Sequence, residues 1–276
     1  MAEGAAESWR GKTLGVVGAG NMGEALVAGA LGAKALLPDQ IVAHDPSPER
    51  RAALEALGCR GASGIHEAAG CDAVLLAVKP QILSGVLEEA AGAFRPGALV
   101  VSIAAGIALK TLETLLPAGV RVVRVMPNTP LMVGMGMSAL AGGNGVDDRD
   151  MAQAMALFAG SGKAVQVDER LMDAVTAFSG SGPAYLFRFA EALIAGGRKM
   201  GMDGELATTL AVQTLRGAAE MLARGGDPAD LRTKVASPGG TTAAALGVFE
   251  ERGFAGTIEA ALFAALKRAE ELGNNA

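Results

Sequence analysis

The sequence predicts an α/β domain built on a parallel sheet, followed by an all-helical domain. Short apolar runs alternate with helical patterns in the first part of the chain, as in repeated strand–helix–strand units. The apolar runs are continuous, as expected for strands that helices cover on both faces. From Asp168 to Leu272 helical patterns dominate and no convincing strand is found. We therefore expect a sheet domain over residues 1–167 and a helical domain over residues 168–276.

The elements follow from the positions of these runs. The predicted strands are Thr13–Val17, Ile41–Asp45, Ala73–Val78, Ala98–Ile103 and Val120–Met126. Between the strands, helices are predicted over Gly20–Leu31, Pro48–Leu57, Gln81–Ala93 and Leu109–Leu115. In the second domain they are predicted over Glu169–Ala177, Pro183–Met200, Gly204–Ala223, Pro228–Val235, Thr241–Glu251 and Thr257–Glu271. Residues 1–12 have no apolar core, so we expect a flexible tail there and no signal peptide.

Composition limits the class of protein. The chain has 276 residues and 50% hydrophobic residues, enough for two modest domains with a core. Its formal net charge is −5 and no block of Lys or Arg occurs, which argues against a nucleic-acid binder. No uninterrupted apolar run is long enough to suggest a membrane span. Only Cys59 and Cys71 are present, so a reducing, cytoplasmic setting is expected.

A glycine-rich loop follows the first predicted strand. Residues 18–23 read GAGNMG, a G-x-G-x-x-G pattern that also opens a predicted helix. Gly18 would allow the tight turn, Gly20 would let a pyrophosphate approach the backbone, and Gly23 would let helix and strand pack closely. The helix N-terminus would offer N–H groups to the phosphates. In this context the loop predicts a Rossmann-type dinucleotide site.

The choice of dinucleotide stays open from the residues alone. Asp45 ends the second strand, where an acidic residue would bind the ribose 2′-hydroxyl of NAD. Ser47, Arg50 and Arg51 follow, and a hydroxyl with a guanidinium could bind the 2′-phosphate of NADP instead. We expect NADPH to be preferred, with NADH as the alternative.

Further segments point to the same edge of the sheet. AVKP at 77–80, SIAAG at 102–106 and RVMPNTP at 124–130 each end a predicted strand, where open α/β sheets bind ligands. In the helical half, SGSGPAY at 179–185 is expected to break a helix, and SPGGTT at 237–242 starts another. The N–H groups and hydroxyls of that last segment form a candidate site for a small carboxylate.

The sequence lacks the signatures of other kinds of catalytic site. His44 and His66 lie outside these segments, no metal-ligand cluster is evident, and no G-x-S-x-G elbow occurs. Hydride transfer to a C=N bond needs little acid–base help, so it suits this residue set.

Taken together, the segments resemble the pyrroline-5-carboxylate reductase family from about Leu14 to Leu272. The resemblance rests on the glycine loop and on AVKP, SIAAGI, RVMPNTP, SGSGPAY and SPGGTT in that order. It implies a helical dimerisation domain, an active site built between subunits of a homo-oligomer, and reduction of 1-pyrroline-5-carboxylate to L-proline, the last step of proline biosynthesis. Two departures are Gly64, where Asn is common, and Lys234, which replaces a frequent polar amide.

The resemblance also implies site residues by motif match. The residues implied for the cofactor are Gly18, Ala19, Gly20, Asn21, Met22, Gly23, Ser47, Ala77, Val78, Lys79, Pro80, Ala104 and Ala105. Those implied for the substrate are Glu169, Ser237, Gly239, Gly240, Thr241 and Thr242. Thr242 is the expected catalytic residue, with its hydroxyl hydrogen-bonded to the ring nitrogen, and no metal is expected.

Two alternatives remain. A β-hydroxyacid dehydrogenase has a similar plan but uses a catalytic lysine, and Leu186 stands at that position here. A non-catalytic NAD(P)-sensing protein would keep the glycine loop but would not need the 237–242 segment.

Overall fold

The computed structural model of this protein describes residues 6–274 and divides into two compact units. The first unit runs to Ser181 and also includes the segment from Ala265 onward, and the second unit is Gly182–Ala264. The first unit contains every strand of the sheet and the second is helical. The expected fold class is therefore confirmed. The predicted domain boundary after Val167, which rests on the change in sequence pattern, stays a prediction.

The first unit is built on an eight-stranded sheet with strand order β3-β2-β1-β4-β5-β6-β7-β8. All neighbouring strands pair in parallel except β6 and β7, which are antiparallel. The strands β1 to β8 are Leu14–Val17, Ile41–His44, Arg60–Gly61, Ala73–Leu76, Leu99–Ser102, Arg121–Met126, Gly136–Gly142 and Gly162–Gln166. The five predicted strands are present, and β3, β7 and β8 were not predicted.

Two apolar clusters, one on each face of the sheet, form the core of the first unit. Val16 and Leu75 belong to one cluster, while Val17 and Leu76 belong to the other. Adjacent strand residues face opposite sides and are all buried, which explains the continuous apolar runs in the sequence. The helices of this unit, α1 to α7, are Asn21–Gly32, Pro48–Ala56, Ile65–Ala69, Leu83–Ala90, Leu109–Leu115, Asp148–Ala156 and Met172–Val175.

The second unit is an array of helices with little core of its own. Helices α8 to α12 are Gly182–Lys199, Gly204–Ala223, Pro228–Val235, Thr241–Glu251 and Phe254–Asn274, the last extending into the first unit by sequence. Among the described residues of Gly182–Ala264, those that are buried are small: Pro183, Gly197, Ala207 and Ala211. Large apolar side chains remain exposed, among them Phe187 at 64% and Met200 at 74%. No described helix is both long and apolar enough to cross a membrane.

The predicted flexible tail is wrong for the part of it that the structure describes. Trp9 is fully buried in the core and its Nε1 donates to the carbonyl of Gln153 at 3.1 Å. Gln40 Nε2 donates to the carbonyls of Trp9 and Lys12, both at 2.8 Å. A single aromatic side chain with a partner for its N–H is enough to anchor this segment. Residues 1–5 of the predicted tail lie outside the described residues.

The predicted interruption at SGSGPAY is present as a π-helical turn followed by a bend at Ser181. Thr176–Gly180 is a turn of π-helix, and Ser181 N donates to Thr176 O at 2.9 Å, five residues earlier. The hydrogen bonding therefore widens over this turn, and α8 begins at Gly182 after the bend. Gly180 permits close packing at this point, as described below.

Candidate active site

The loop after β1 has the geometry that its glycines predict. Gly18 has a φ of +99°, and a Cβ built on it would lie 2.7 Å from the carbonyl oxygen of Ala77. Gly18 N donates to the carbonyl of His44 at 2.9 Å, which fixes the loop to the end of β2. Gly23 stands where a Cβ would come within 2.5 Å of Gly18 O. The backbone of this turn therefore closes only with glycine at these two positions.

Gly20 differs from these two glycines because it faces open space. Among the described residues, no atom lies within 4 Å of a Cβ built at Gly20. Gly20 is the N-cap of α1, and no described side chain caps the N–H groups of that helix. The first turn of α1 thus presents unpaired donors beside an open approach, which is the arrangement that binds phosphate groups.

An apolar crevice of about 230 Å³ lies next to this loop. Three of the predicted segments meet in it, which confirms that they end at one edge of the sheet. Its polar content is low, apart from backbone groups and the exposed Lys79, so it suits a flat ring. The lining residues are Met22, Ala77, Val78, Lys79, Pro80, Ile103, Ala105, Met126 and Pro127.

On the other side of the loop, Asp45 uses both carboxylate oxygens to bind backbone. Its Oδ2 accepts from Ala19 N at 2.8 Å and its Oδ1 accepts from Ser47 N at 2.9 Å. Arg50 Nη1 donates to Asn21 Oδ1 at 2.7 Å, and Arg51 Nη1 donates to the carbonyl of Asp45 at 2.5 Å. Two guanidinium groups therefore lie at the end of β2 beside Ser47, the N-cap of α2.

Glu169 lies in a different part of the first unit from the crevice lining. Its Oε1 accepts from Arg124 Nη1 at 2.8 Å and from Leu109 N at 3.0 Å, so it binds a buried guanidinium and caps α5. Arg124 also lies 3.6 Å from a carboxylate oxygen of Asp173. Glu169 Oε2 is buried and has no partner among the described residues. These contacts give Glu169 a structural role, and its expected role in binding substrate stays a prediction.

The Ser237–Thr242 loop belongs to the second unit and forms a turn before α11. Gly240 N donates to Ser237 O at 3.0 Å, and Gly239 has a φ of +71°. Gly240 is the N-cap of α11, and neither a described side-chain cap nor an acidic residue in the first turn neutralises its N–H groups. Thr242 is half-buried in that first turn. The loop can therefore offer N–H donors and a hydroxyl to a small anion.

Sequence reasoning missed several residues of this region. Ile103, Met126 and Pro127 line the crevice, although they were not among the predicted cofactor residues. Ile103 and Met126 are the last predicted residues of their strands, so the strand ends themselves carried the signal. Within residues 6–274, no group of three or more His, Cys, Asp or Glu side chains is arranged to hold a metal ion.

Comparison with known proteins identifies the family. Residues 169–272 match the family model described as pyrroline-5-carboxylate reductase dimerisation, and residues 13–106 match one described as NADP oxidoreductase, coenzyme F420-dependent. A Synechocystis sp. protein named pyrroline-5-carboxylate reductase is 43% identical over 264 residues, covering 94% of this chain and 98% of that protein. The chain belongs to the pyrroline-5-carboxylate reductase family. A Corynebacterium melassecola member of this family is 42% identical over 269 residues, covering 95% of this chain and 99% of that protein.

Solved structures of the pyrroline-5-carboxylate reductase family agree with this assignment. The Coxiella burnetii protein has a TM-score of 0.89 at 33% identity, covering 95% of this chain and 98% of that one. The Plasmodium falciparum protein, with NADP bound, has a TM-score of 0.84 at 32% identity over the same shares. A Mycobacterium tuberculosis 3-hydroxyisobutyrate dehydrogenase has a TM-score of 0.51 at 17% identity, covering 70% of this chain and 67% of that one, and shows the fold alone. The resemblance seen in the sequence is confirmed.

Proposed function

We propose that this chain reduces the C=N bond of 1-pyrroline-5-carboxylate to give L-proline, with NADPH as the hydride donor. The observation that carries the proposal is identity above 40% to proteins named for this activity over nearly the whole chain, together with an intact glycine loop. The chain would then perform the last step of proline biosynthesis. It is an oxidoreductase that binds a small-molecule substrate.

The described residues fit a nicotinamide dinucleotide. The open approach at Gly20 and the uncapped N–H groups of α1 suit a pyrophosphate, and the apolar crevice suits a nicotinamide ring. Ser47, with Arg50 and Arg51 beside it, is the proposed contact of the 2′-phosphate. The hydroxyl and the two guanidinium groups beside Asp45 support NADPH as the preferred cofactor.

When bound, NADPH supplies a hydride from the C4 atom of its nicotinamide. The chain's own residues bind the substrate, orient it and shield the reacting groups. The N–H groups of Thr241 and Thr242 bind the substrate carboxylate. Gly240 N–H closes the turn on Ser237 O, and Gly239 gives the turn its shape. The Thr242 hydroxyl hydrogen-bonds the ring nitrogen, which carries a proton taken from solvent. The C=N bond thus gains one hydride and one proton, and the protein acts by positioning and electrostatics.

We further propose that the helical residues 168–276 form the interface of a homodimer or larger homo-oligomer. The large apolar side chains exposed on the second unit support this, since a stable helix normally buries its apolar face. The match of residues 169–272 to a model described as dimerisation supports it as well. A cytoplasmic location, expected from the two cysteines, stays a prediction.

The test is a direct comparison of reactions. Purified protein should oxidise NADPH when 1-pyrroline-5-carboxylate is supplied, and should not reduce NAD with a 3-hydroxy acid. The second reaction is the one expected of a β-hydroxyacid dehydrogenase. Activity with the hydroxy acid alone would replace the proposed function with that alternative. Binding of NADPH with neither activity would favour a sensing protein.

A further inference from the structure

The π-helical turn Thr176–Gly180 packs directly on the wall of the apolar crevice. A Cβ built at Gly180 would lie 2.5 Å from Met126 Cε, so the backbone of the turn contacts this side chain as closely as glycine allows. Met126 is one of the residues that line the crevice. Because Cε is the flexible end of the thioether, the position of the turn sets where the Met126 methyl group lies.

Asn128 holds the turn in this position. Its Nδ2 donates to the carbonyl of Ser179 at 3.0 Å, and its Oδ1 accepts from Met137 N at 2.8 Å. The first bond binds the π-turn, and the second binds the beginning of β7. A half-buried amide with both ends paired fixes its two partners relative to each other.

The hydrogen bond from Asn128 to Ser179 O lies where the helix is irregular. Widening a helix by one residue disturbs the regular hydrogen bonding, and such turns occur often at functional sites. Here the Asn128 amide pairs with a carbonyl of that turn, Ser179 O. Since Pro127, the residue immediately before Asn128, lines the crevice, the same short segment forms the wall and anchors the turn behind it.

We propose that Asn128 is a positioning residue for hydride transfer, acting through the π-turn and Met126 on the crevice wall. This inference rests on the proposed function, because the crevice is taken as the site of the nicotinamide. Asn128 touches neither the glycine loop nor the 2′-phosphate residues in any contact described above. It should therefore affect how the ring is oriented much more than how tightly the dinucleotide binds.

The substitution Asn128→Asp isolates the bond to the π-turn. A carboxylate can still accept from Met137 N but cannot donate to Ser179 O, so one of the two bonds is lost. Gly180→Ala reaches the same contact from the other side, because its new Cβ would displace Met126. Asn144→Asp is the matched control, since Asn144 Nδ2 donates to Glu113 Oε2 at 2.7 Å on an exposed surface away from the crevice.

Three measurements decide the proposal: kcat, the dissociation constant of NADPH by titration, and the emission of the bound nicotinamide. We expect kcat to fall about tenfold or more in Asn128→Asp and Gly180→Ala, because small displacements of the reacting groups lower the rate of the chemical step. The NADPH dissociation constant should change by less than about twofold, because phosphate contacts dominate it. The nicotinamide emission should move toward that of free NADPH. Asn144→Asp should match the wild type in all three.

Two results would overturn the proposal. One is wild-type kcat and emission in both crevice variants. The other is a loss of NADPH affinity as large as the loss of kcat, which would indicate general damage to the site. Thermal unfolding of each variant separates a folded, slow enzyme from an unfolded one. Failure of the proposed function looks different, because wild-type protein would then bind NADPH without reducing the imine.

Discussion

Asp45 Oδ2 accepts a hydrogen bond from Ala19 N at 2.8 Å, which links the end of β2 to the glycine loop. The other oxygen, Oδ1, accepts from Ser47 N at 2.9 Å. The sequence left open whether Asp45 would bind the ribose of NAD. In this structure its carboxylate holds the loop and the N-cap residue of α2 in place. We therefore predict that its contribution to cofactor binding is indirect.

Asp45→Ala should weaken NADPH and NADH to a similar extent. Loss of hydrogen bonds to a charged group costs about 1.5–3 kcal/mol, which corresponds to at least about tenfold in each dissociation constant. If Asp45 bound the ribose directly, NADH would weaken alone and NADPH would bind as well or better. Isothermal titration with both cofactors distinguishes the two cases. Ser47→Ala serves as the comparison, since it should weaken NADPH only.

Alanine substitutions at the loop glycines should differ in their effects on stability and on NADPH binding. Gly23→Ala should lower the free energy of unfolding by about 1–3 kcal/mol, because its Cβ would meet Gly18 O at 2.5 Å. Gly20→Ala should lower stability less than Gly23→Ala, since its Cβ enters open space and only the N-cap preference for glycine is lost. It should raise the NADPH dissociation constant at least tenfold by blocking the pyrophosphate.

Gly85→Ala is the control for these two substitutions. Gly85 is exposed in α4 of the first unit with no described atom within 4 Å of its Cβ position, so alanine should raise stability by about 0.5–1 kcal/mol. Its NADPH affinity should equal that of the wild type. Urea unfolding and cofactor titration give both quantities, and normal NADPH binding by Gly20→Ala would contradict the assigned approach of the pyrophosphate.

Much of this arrangement could be predicted from local sequence. The buried runs around Val16 and Leu75 indicated parallel strands, and the glycine loop indicated the dinucleotide site. By contrast, β7 reads GMSALAG, and its small residues carry no strand signal without β6 beside them. Trp9 is buried because Gln153, far along the chain, supplies a carbonyl for its N–H.

The crevice wall shows the same limit. The two glycines near Ser181 predicted the interruption of the helix, but not the π-helical turn that precedes the bend. The turn packs on Met126, and its Ser179 carbonyl accepts a hydrogen bond from Asn128. Both residues lie far earlier in the sequence. Contacts between segments of this kind depend on the order of strands in the sheet, which no local pattern encodes.

Glu67 should make stability depend on pH in the acid range. Its carboxylate accepts from Ser63 N and Ser63 Oγ and pairs with Arg60, and these bonds, the one from Ser63 N first, lower the pKa of Glu67 to about 2. As pH falls, the unfolded chain takes up this proton first, near pH 4.5. The stabilisation is therefore complete above that pH and lost progressively down to about pH 2.

Urea unfolding of wild type and Glu67→Gln across this range measures the effect. The free energy of unfolding should differ between the two proteins at neutral pH, and the difference should shrink as pH falls through the window. Other carboxylates titrate in both proteins and cancel in the comparison. A difference that stays constant from neutral pH to pH 2 would show that this carboxylate has an ordinary pKa in the folded chain.

The exposed apolar side chains of the second unit predict that the protein does not persist as a monomer. Phe187→Glu places a charge on α8 at a position that is 64% exposed in the single chain. If a second copy covers this face, the substitution should lower the mass measured by light scattering. Leu37→Glu, at a position 59% exposed in the first unit, should leave the mass unchanged. A wild-type monomer at micromolar concentration would contradict the proposed interface.

Thr242 provides the sharpest test of the proposed chemistry. The 237–242 loop opens α11 with uncapped N–H groups, and the proposed role of the Thr242 hydroxyl is a hydrogen bond to the ring nitrogen. Thr242→Val keeps the shape and removes the hydroxyl, and kcat/KM for 1-pyrroline-5-carboxylate should fall about tenfold or more, since one such hydrogen bond is worth roughly 1–3 kcal/mol.

NADPH affinity should stay the same, because the glycine loop provides it. Thr114→Val, an exposed threonine of α5 whose hydroxyl donates to Lys110 O, should leave both constants unchanged. Unaltered kcat/KM in Thr242→Val would remove this residue from the mechanism, and loss of NADPH binding would move the loop to the cofactor side of the site.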